Sequence, residues 1–87
     1  MKFASVYKRK GVLIVKNRIK ELRLYANMTQ KQLSDLVSVS SRTIISLEQG
    51  QYNPSIMLAY KIACIFNVTI EDLYYLKENL IEYERKK

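Results

Sequence analysis

Apolar residues through the middle of the chain recur at spacings of three and four, and short polar residues interrupt them at regular intervals. Ile19 and Leu22 anchor a helix expected from about Lys16 to Tyr25, which Asn27 ends, because asparagine tolerates the left-handed backbone that a helix terminus often needs. Thr29 and Gln32 form a T-x-x-Q capping box: the threonine accepts the Gln32 amide and the glutamine side chain reaches back to the Thr29 amide. Leu33, Leu36 and Val37 then share one expected buried face. Ser38-Val39-Ser40 breaks the pattern, since serines compete with helical backbone for hydrogen bonds, and Ser40 is placed to cap a new helix. In that helix Ile44 and Leu47 point inward, Ser41, Arg42, Ile45, Ser46 and Gln49 occupy the other faces, and Gly50 stops it. Two short helices joined by a tight turn, the second bearing short polar side chains and one arginine outward, suit a helix laid in a DNA major groove.

Further along, Thr69 is expected to cap a helix with Asp72 at the third position, a capping box in its shorter acidic form. Leu73, Leu76, Leu80 and Tyr83 follow at spacings of three, four and three, broadened by Tyr74 and Tyr75. That stripe exceeds what closing a small helical domain requires, so it is expected to be the interface of a symmetric homodimer. The competing expectation is that residues after Leu76 fold back on their own domain, as a strand beside GVLIV. At the other end, residues 1–15 hold FASVY and GVLIV around the basic run KRKG. Both arms are rich in strand formers and Gly11 suits a turn, so a hairpin and a frayed extension stand as alternatives.

The segments KNRIKELR, MTQKQLSDL, VSSRTIISLEQGQYNPS and LAYKIACIFNVTIEDL, in this order and spacing, resemble the helix-turn-helix domain of the phage-repressor and Cro family, the XRE-type regulators. The resemblance spans about Arg18 to Leu76. It implies an all-α fold, a compact five-helix domain over residues 16–76, with a short extended segment before it and a helical, basic extension over 77–87. It also implies a sequence-specific transcriptional regulator that binds operator double-stranded DNA as a homodimer; two-fold pairing makes the expected operator an inverted repeat, and a repressor is expected rather than an activator because a small bound dimer can occlude polymerase. The helix after Pro54 is expected from Ser55 to Phe66, with Leu58, Ala59, Ile62, Ala63 and Phe66 inward.

Site roles follow position by position. Ser41, Arg42, Ile45 and Ser46 are the candidate base readers, Arg42 foremost, because its planar fork can bond O6 and N7 of guanine together. Ile45 either touches a thymine methyl or extends the core. Gln30, Thr43, Gln49, Gln51, Tyr52 and Asn53 are the candidate backbone contacts, which position the domain without reading sequence, with the junction to the preceding helix as the alternative place for Thr43. An arginine at the place of Arg23 commonly pairs in the family with a glutamate at the place of Glu48, tying the first helix to the recognition helix. Two departures stand out. Ser38 occupies a turn position where relatives usually carry glycine, and Ser41-Arg42 stand where the best-known phage repressors present glutamines, so their operator preferences do not carry over.

The composition narrows the alternatives. At 87 residues and 48% hydrophobic content the chain suits one domain with one small core. The net charge is +7, but setting aside the seven basic residues at the two ends, with Glu82 and Glu84, leaves about +2 for the middle. Phosphate attraction is therefore expected largely from the tails. There is no histidine, and neither a nucleophile with its base, a carboxylate pair nor a phosphate loop stands out, so an enzyme is not expected, nor a metal or other cofactor. Cys64 is alone and expected in the core. No signal peptide or membrane span is evident, which makes a cytoplasmic protein the simplest reading, and no sensor module is expected. Two further function classes stand beside the regulator. One is an antitoxin that binds its operator and a toxin partner; the other is an interaction module that has lost DNA contact, against which Gln30, Arg42 and the basic tails argue.

Overall fold

The computed structural model describes residues 8–9, 12–13 and 16–86, with the side chains of residues 8, 9, 12, 13, 83 and 86 outside the described set. Six helices make up the domain: α1 Ile19–Tyr25, α2 Gln30–Val37, α3 Ser41–Glu48, α4 Ile56–Ile65, α5 Ile70–Leu73 and α6 Leu76–Lys86. Ahead of them a minimal antiparallel pair joins β1 (Lys8–Arg9) to β2 (Val12–Leu13), in the register Lys8 to Leu13 and Arg9 to Val12. FASVY and most of GVLIV lie outside the described residues.

Side-chain caps start the helices where short polar residues stand. Thr29 Oγ1 accepts the Gln32 amide at 3.0 Å and Gln32 Oε1 accepts the Thr29 amide at 2.8 Å, which completes the reciprocal box. Ser40, Ser55 and Thr69 cap α3, α4 and α5 through the amides of Thr43, Leu58 and Asp72. Asp72 does not complete the second box: its carboxylate instead accepts from Arg18 Nη1 at 2.6 Å, across the junction of α1 and α5. Nor does α1 begin at Lys16. Asn17 Oδ1 accepts the Ile19 amide, so helical geometry starts there, while the Lys16 carbonyl is taken by Asn79.

The first four helices end alike. Asn27, Ser38, Gly50 and Asn67 all have positive φ, and the amide of the next residue closes back on a carbonyl five positions earlier: Met28 on Arg23, Val39 on Ser34, Gln51 on Ser46, Val68 on Ala63. Met28, Val39 and Val68 then tuck against the core, the hydrophobic contact that accompanies this termination. Ser38, at φ 60° and ψ 44°, sits in the left-handed region without glycine's freedom, at a cost of about 1 kcal/mol.

The core comprises Ile19, Leu33, Val37, Ile44, Leu47, Ala59, Ile62, Ala63, Leu73 and Tyr74. Leu36 is not part of it and stands 58% exposed. The buried face of α2 runs through Leu33, Ser34 and Val37 instead, because α3 approaches closely enough for Ser34 Oγ to lie 3.4 Å from Ser41 Oγ, where a leucine has no room. Cys64 is also exposed. It is one position past Ala63, and a rotation of about 100° per residue carries it out of the core.

The expected continuous stripe from Leu73 onward is broken. α5 stops at Leu73, Tyr75 takes φ 48°, and α6 restarts at Leu76 in a new direction. Asn79 pins this corner by donating from Nδ2 to the Tyr74 carbonyl at 2.6 Å and the Lys16 carbonyl at 3.1 Å. Leu73 and Tyr74 are consequently buried in their own domain. Their burial corrects their place in an expected dimer interface. The Tyr74 hydroxyl has no hydrogen-bond partner among the described residues, and burial pushes its pKa well above the ordinary phenol value.

Candidate nucleic-acid interface

Two contacts from α1 and one from α2 hold the back of α3. Arg23 Nε donates to Glu48 Oε2 at 2.6 Å and Arg23 Nη2 to Glu48 Oε1 at 3.3 Å, with both side chains under one tenth exposed. The remaining Arg23 nitrogen, Nη1, donates to the Met28 carbonyl at 2.8 Å. Gln30 Nε2 completes the arrangement by donating to Glu48 Oε1 at 3.1 Å. One buried carboxylate thus joins three helices, and its charge is met by a guanidinium and an amide. A second clamp lies one residue earlier: Asn17 Nδ2 donates to the Leu47 carbonyl at 2.8 Å. The sequence carried a signal for it, an asparagine just ahead of a helix, but nothing local names a partner thirty residues away.

With Ile44 and Leu47 buried beneath it, α3 turns Arg42, Ile45 and Gln49 outward along one line at spacings of three and four. Arg42 is exposed and makes no hydrogen bond or ion pair among the described residues, and Ile45 is 37% exposed beside it. Ile45 is therefore not core, which leaves it available to a ligand. Ser41 and Ser46 flank this line and are half-buried, Ser41 leaning toward Ser34. The Thr43 hydroxyl is 3.0 Å from Ser40 Oγ, so it closes the turn between α2 and α3 and faces the junction of the two helices. Gln51, Tyr52 and Asn53 stand exposed in the loop that follows, beyond the left-handed turn at Gly50. Gln30 opens α2, so its backbone lies at the positive end of that helix even though its amide nitrogen is engaged by Glu48.

Two short helices braced at a tight turn, the second presenting an unengaged arginine on an open face, define a helix-turn-helix DNA-binding domain. The helix-turn-helix family model matches residues 19–73, and the chain belongs to this family, in its XRE-type branch. It is 52% identical over 64 residues to an uncharacterized HTH-type transcriptional regulator of Archaeoglobus fulgidus, covering 74% of this chain and 90% of the relative. It is 43% identical over 65 residues to another from Methanocaldococcus jannaschii, covering 75% and 98%. Among solved structures it is similar to the restriction-modification controller protein C.AhdI from Aeromonas hydrophila, with a TM-score of 0.60 and 26% identity over 66% of this chain and 86% of that one. The protein is a DNA-binding transcriptional regulator, of a family that is not normally enzymatic. No helix among the described residues is long and apolar enough to cross a membrane.

Proposed function

We propose that the protein is a repressor that binds an inverted-repeat operator as a homodimer, each copy laying α3 in the major groove. The observation that carries this reading is Arg42, exposed and unengaged on a helix whose opposite side is locked to α1 and α2. A guanidinium held ready on a rigid element loses little freedom when it grips guanine O6 and N7. Beside it Ile45 meets a thymine methyl, with Ser41 and Ser46 reaching flanking base edges. Gln30 at the head of α2, and Gln49, Gln51, Tyr52 and Asn53 after α3, meet phosphates on either side and fix the register. Thr43, turned toward Ser40, acts by setting the angle between the two helices. One such helix contacts too few base pairs to select a single genomic site, which is why two copies are required. Repression follows from simple occlusion, since a small bound dimer covers the site that polymerase needs.

Selection of bound sequences from random DNA tests the proposal. The expected result is an inverted repeat with half-sites centred about 10–10.5 base pairs apart and a preferred guanine in each. Recovery of no enriched sequence overturns it.

A further inference from the structure

The sequence of α4, IMLAYKIACI, contains a single charge, and a helix apolar on all sides is normally covered on all sides. Here only one side is. Ala59, Ile62 and Ala63 enter the core, while Ile56 is 76% exposed, Met57 62% and Tyr60 56%, with Cys64 exposed one turn further on. Ile56, Tyr60 and Cys64 are four apart and Met57 lies beside them, so all four share one face about 100° wide. Among its described side chains, which do not include Tyr83, α6 presents no comparable face. Its exposed apolar residues, Leu76 and Ile81, are five apart and therefore point about 140° away from each other, and Leu80 is already half-buried.

We propose that the α4 face is where two copies of this chain pair, an inference that rests on the reading of the protein as a DNA-binding homodimer. The charges at its margins identify the occupant. Lys61 flanks it on α4, and Glu71 borders the shallow groove between α4 and α5 that Tyr60, Cys64 and Ile70 line. One charge of each sign gives a face without net charge. A basic face would repel its own copy in a chain of net charge +7, and a face prepared for an acidic partner would be basic. A near-neutral apolar face suits self-association. Its size sets the strength of pairing. An apolar patch on the order of a few hundred Å² is large for a monomer's surface, yet falls short of the roughly 800 Å² per partner of a standard interface. Pairing is therefore concentration-dependent in solution, and DNA completes it by holding two copies at fixed distance. The position fits this role, because only Pro54 and Ser55 separate α4 from the loop of Gln51, Tyr52 and Asn53 assigned to the DNA backbone.

Sedimentation and operator titration of the full chain test the surface. Wild type is expected to show a monomer–dimer equilibrium at micromolar concentration and a sigmoidal titration of the inverted repeat. M57D/Y60D is expected to remain helical and monomeric, to bind an isolated half-site like wild type, and to gain nothing from the second. L76D/I81D is expected to pair as wild type does. If M57D/Y60D pairs normally while wild type is dimeric, the surface assignment is overturned and the dimer stands. If wild type gains nothing from a second half-site, the dimer itself is overturned. Alkylation of Cys64 in the wild-type chain gives a measurement independent of the variants' folding: protection on the inverted repeat but not on a half-site supports the face, and equal rates on both overturn it.

Discussion

Arg42 and Arg23 show how differently two arginines in one small domain are used. Arg23 spends its guanidinium on Glu48 and the Met28 carbonyl, whereas Arg42 spends nothing within the described chain. Arg42→Ala should leave thermal stability nearly unchanged, weaken specific binding by about 1–3 kcal/mol and relax preference at one base pair per half-site. A binding assay against operator and random duplexes checks this, since equal loss on both means a phosphate contact. Breaking the buried pair acts on the fold. Arg23→Ala or Glu48→Ala should each cost about 3 kcal/mol or more in urea unfolding, because the partner left behind is buried and uncompensated. The double variant should lose clearly less than the two losses added together. Tyr74 has its own signature. Its buried hydroxyl lacks a partner among the described residues, so Tyr74→Phe should stabilise the domain by about 1 kcal/mol. The folded phenol ionises above the ordinary value of about 10. Folding stability is thus untouched by this ionisation below pH 10 and falls as pH rises toward the folded value. Unfolding curves across that alkaline range should fall less steeply for the phenylalanine variant.

At the level of elements, termination is as informative as initiation. Four helices close through the same left-handed turn, and only one of them has glycine there. Ser38→Gly should stabilise the domain by about 0.5–1 kcal/mol, measurable as a raised midpoint in urea at unchanged slope. A loss would mean that the serine side chain contributes more than its backbone strain costs. The elements themselves were legible because short polar caps and three-four spacing are local signals. Thr29 with Gln32, Ser40 and Asn27 each act within a few residues of their own position. Three features were not legible for the complementary reason. The break after Leu73 depends on Asn79 reaching back to Tyr74 and Lys16, and two tyrosines do not announce a corner. Leu36 is an apolar residue at helical spacing whose exposure is decided by how closely α3 approaches, and Cys64 lies one position past the buried face of a helix so apolar that its sequence does not name that face. On the candidate DNA face, the outward placement of Arg42 and Gln49 could be read from periodicity, which left Ile45 and Thr43 each with two alternatives, whereas the engagement of Gln30 by Glu48 could not be read.

Along the whole sequence, most of the net charge is placed apart from the candidate recognition residues. The body carries only about +2, and the flanking segments supply the remainder. Neutralising Lys8, Arg9 and Lys10 together with glutamine should weaken binding to random and specific duplexes alike. The slope of log affinity against log salt should then become shallower by up to about three per copy, while the preferred sequence stays the same. A changed preference would place these residues in a groove.

The bracing of α3 from behind also bears on how such a protein diversifies. Asn17, Arg23 and Glu48 hold the helix from the side opposite the candidate DNA face, and Arg42, Ile45 and Gln49 face outward yet hold nothing up. Selection can therefore rewrite the outward residues singly without first securing compensating changes in the interior. Duplicated copies of such a gene can drift to separate operators within one cell, each step passing through a folded intermediate, so that new regulatory circuits arise from one scaffold.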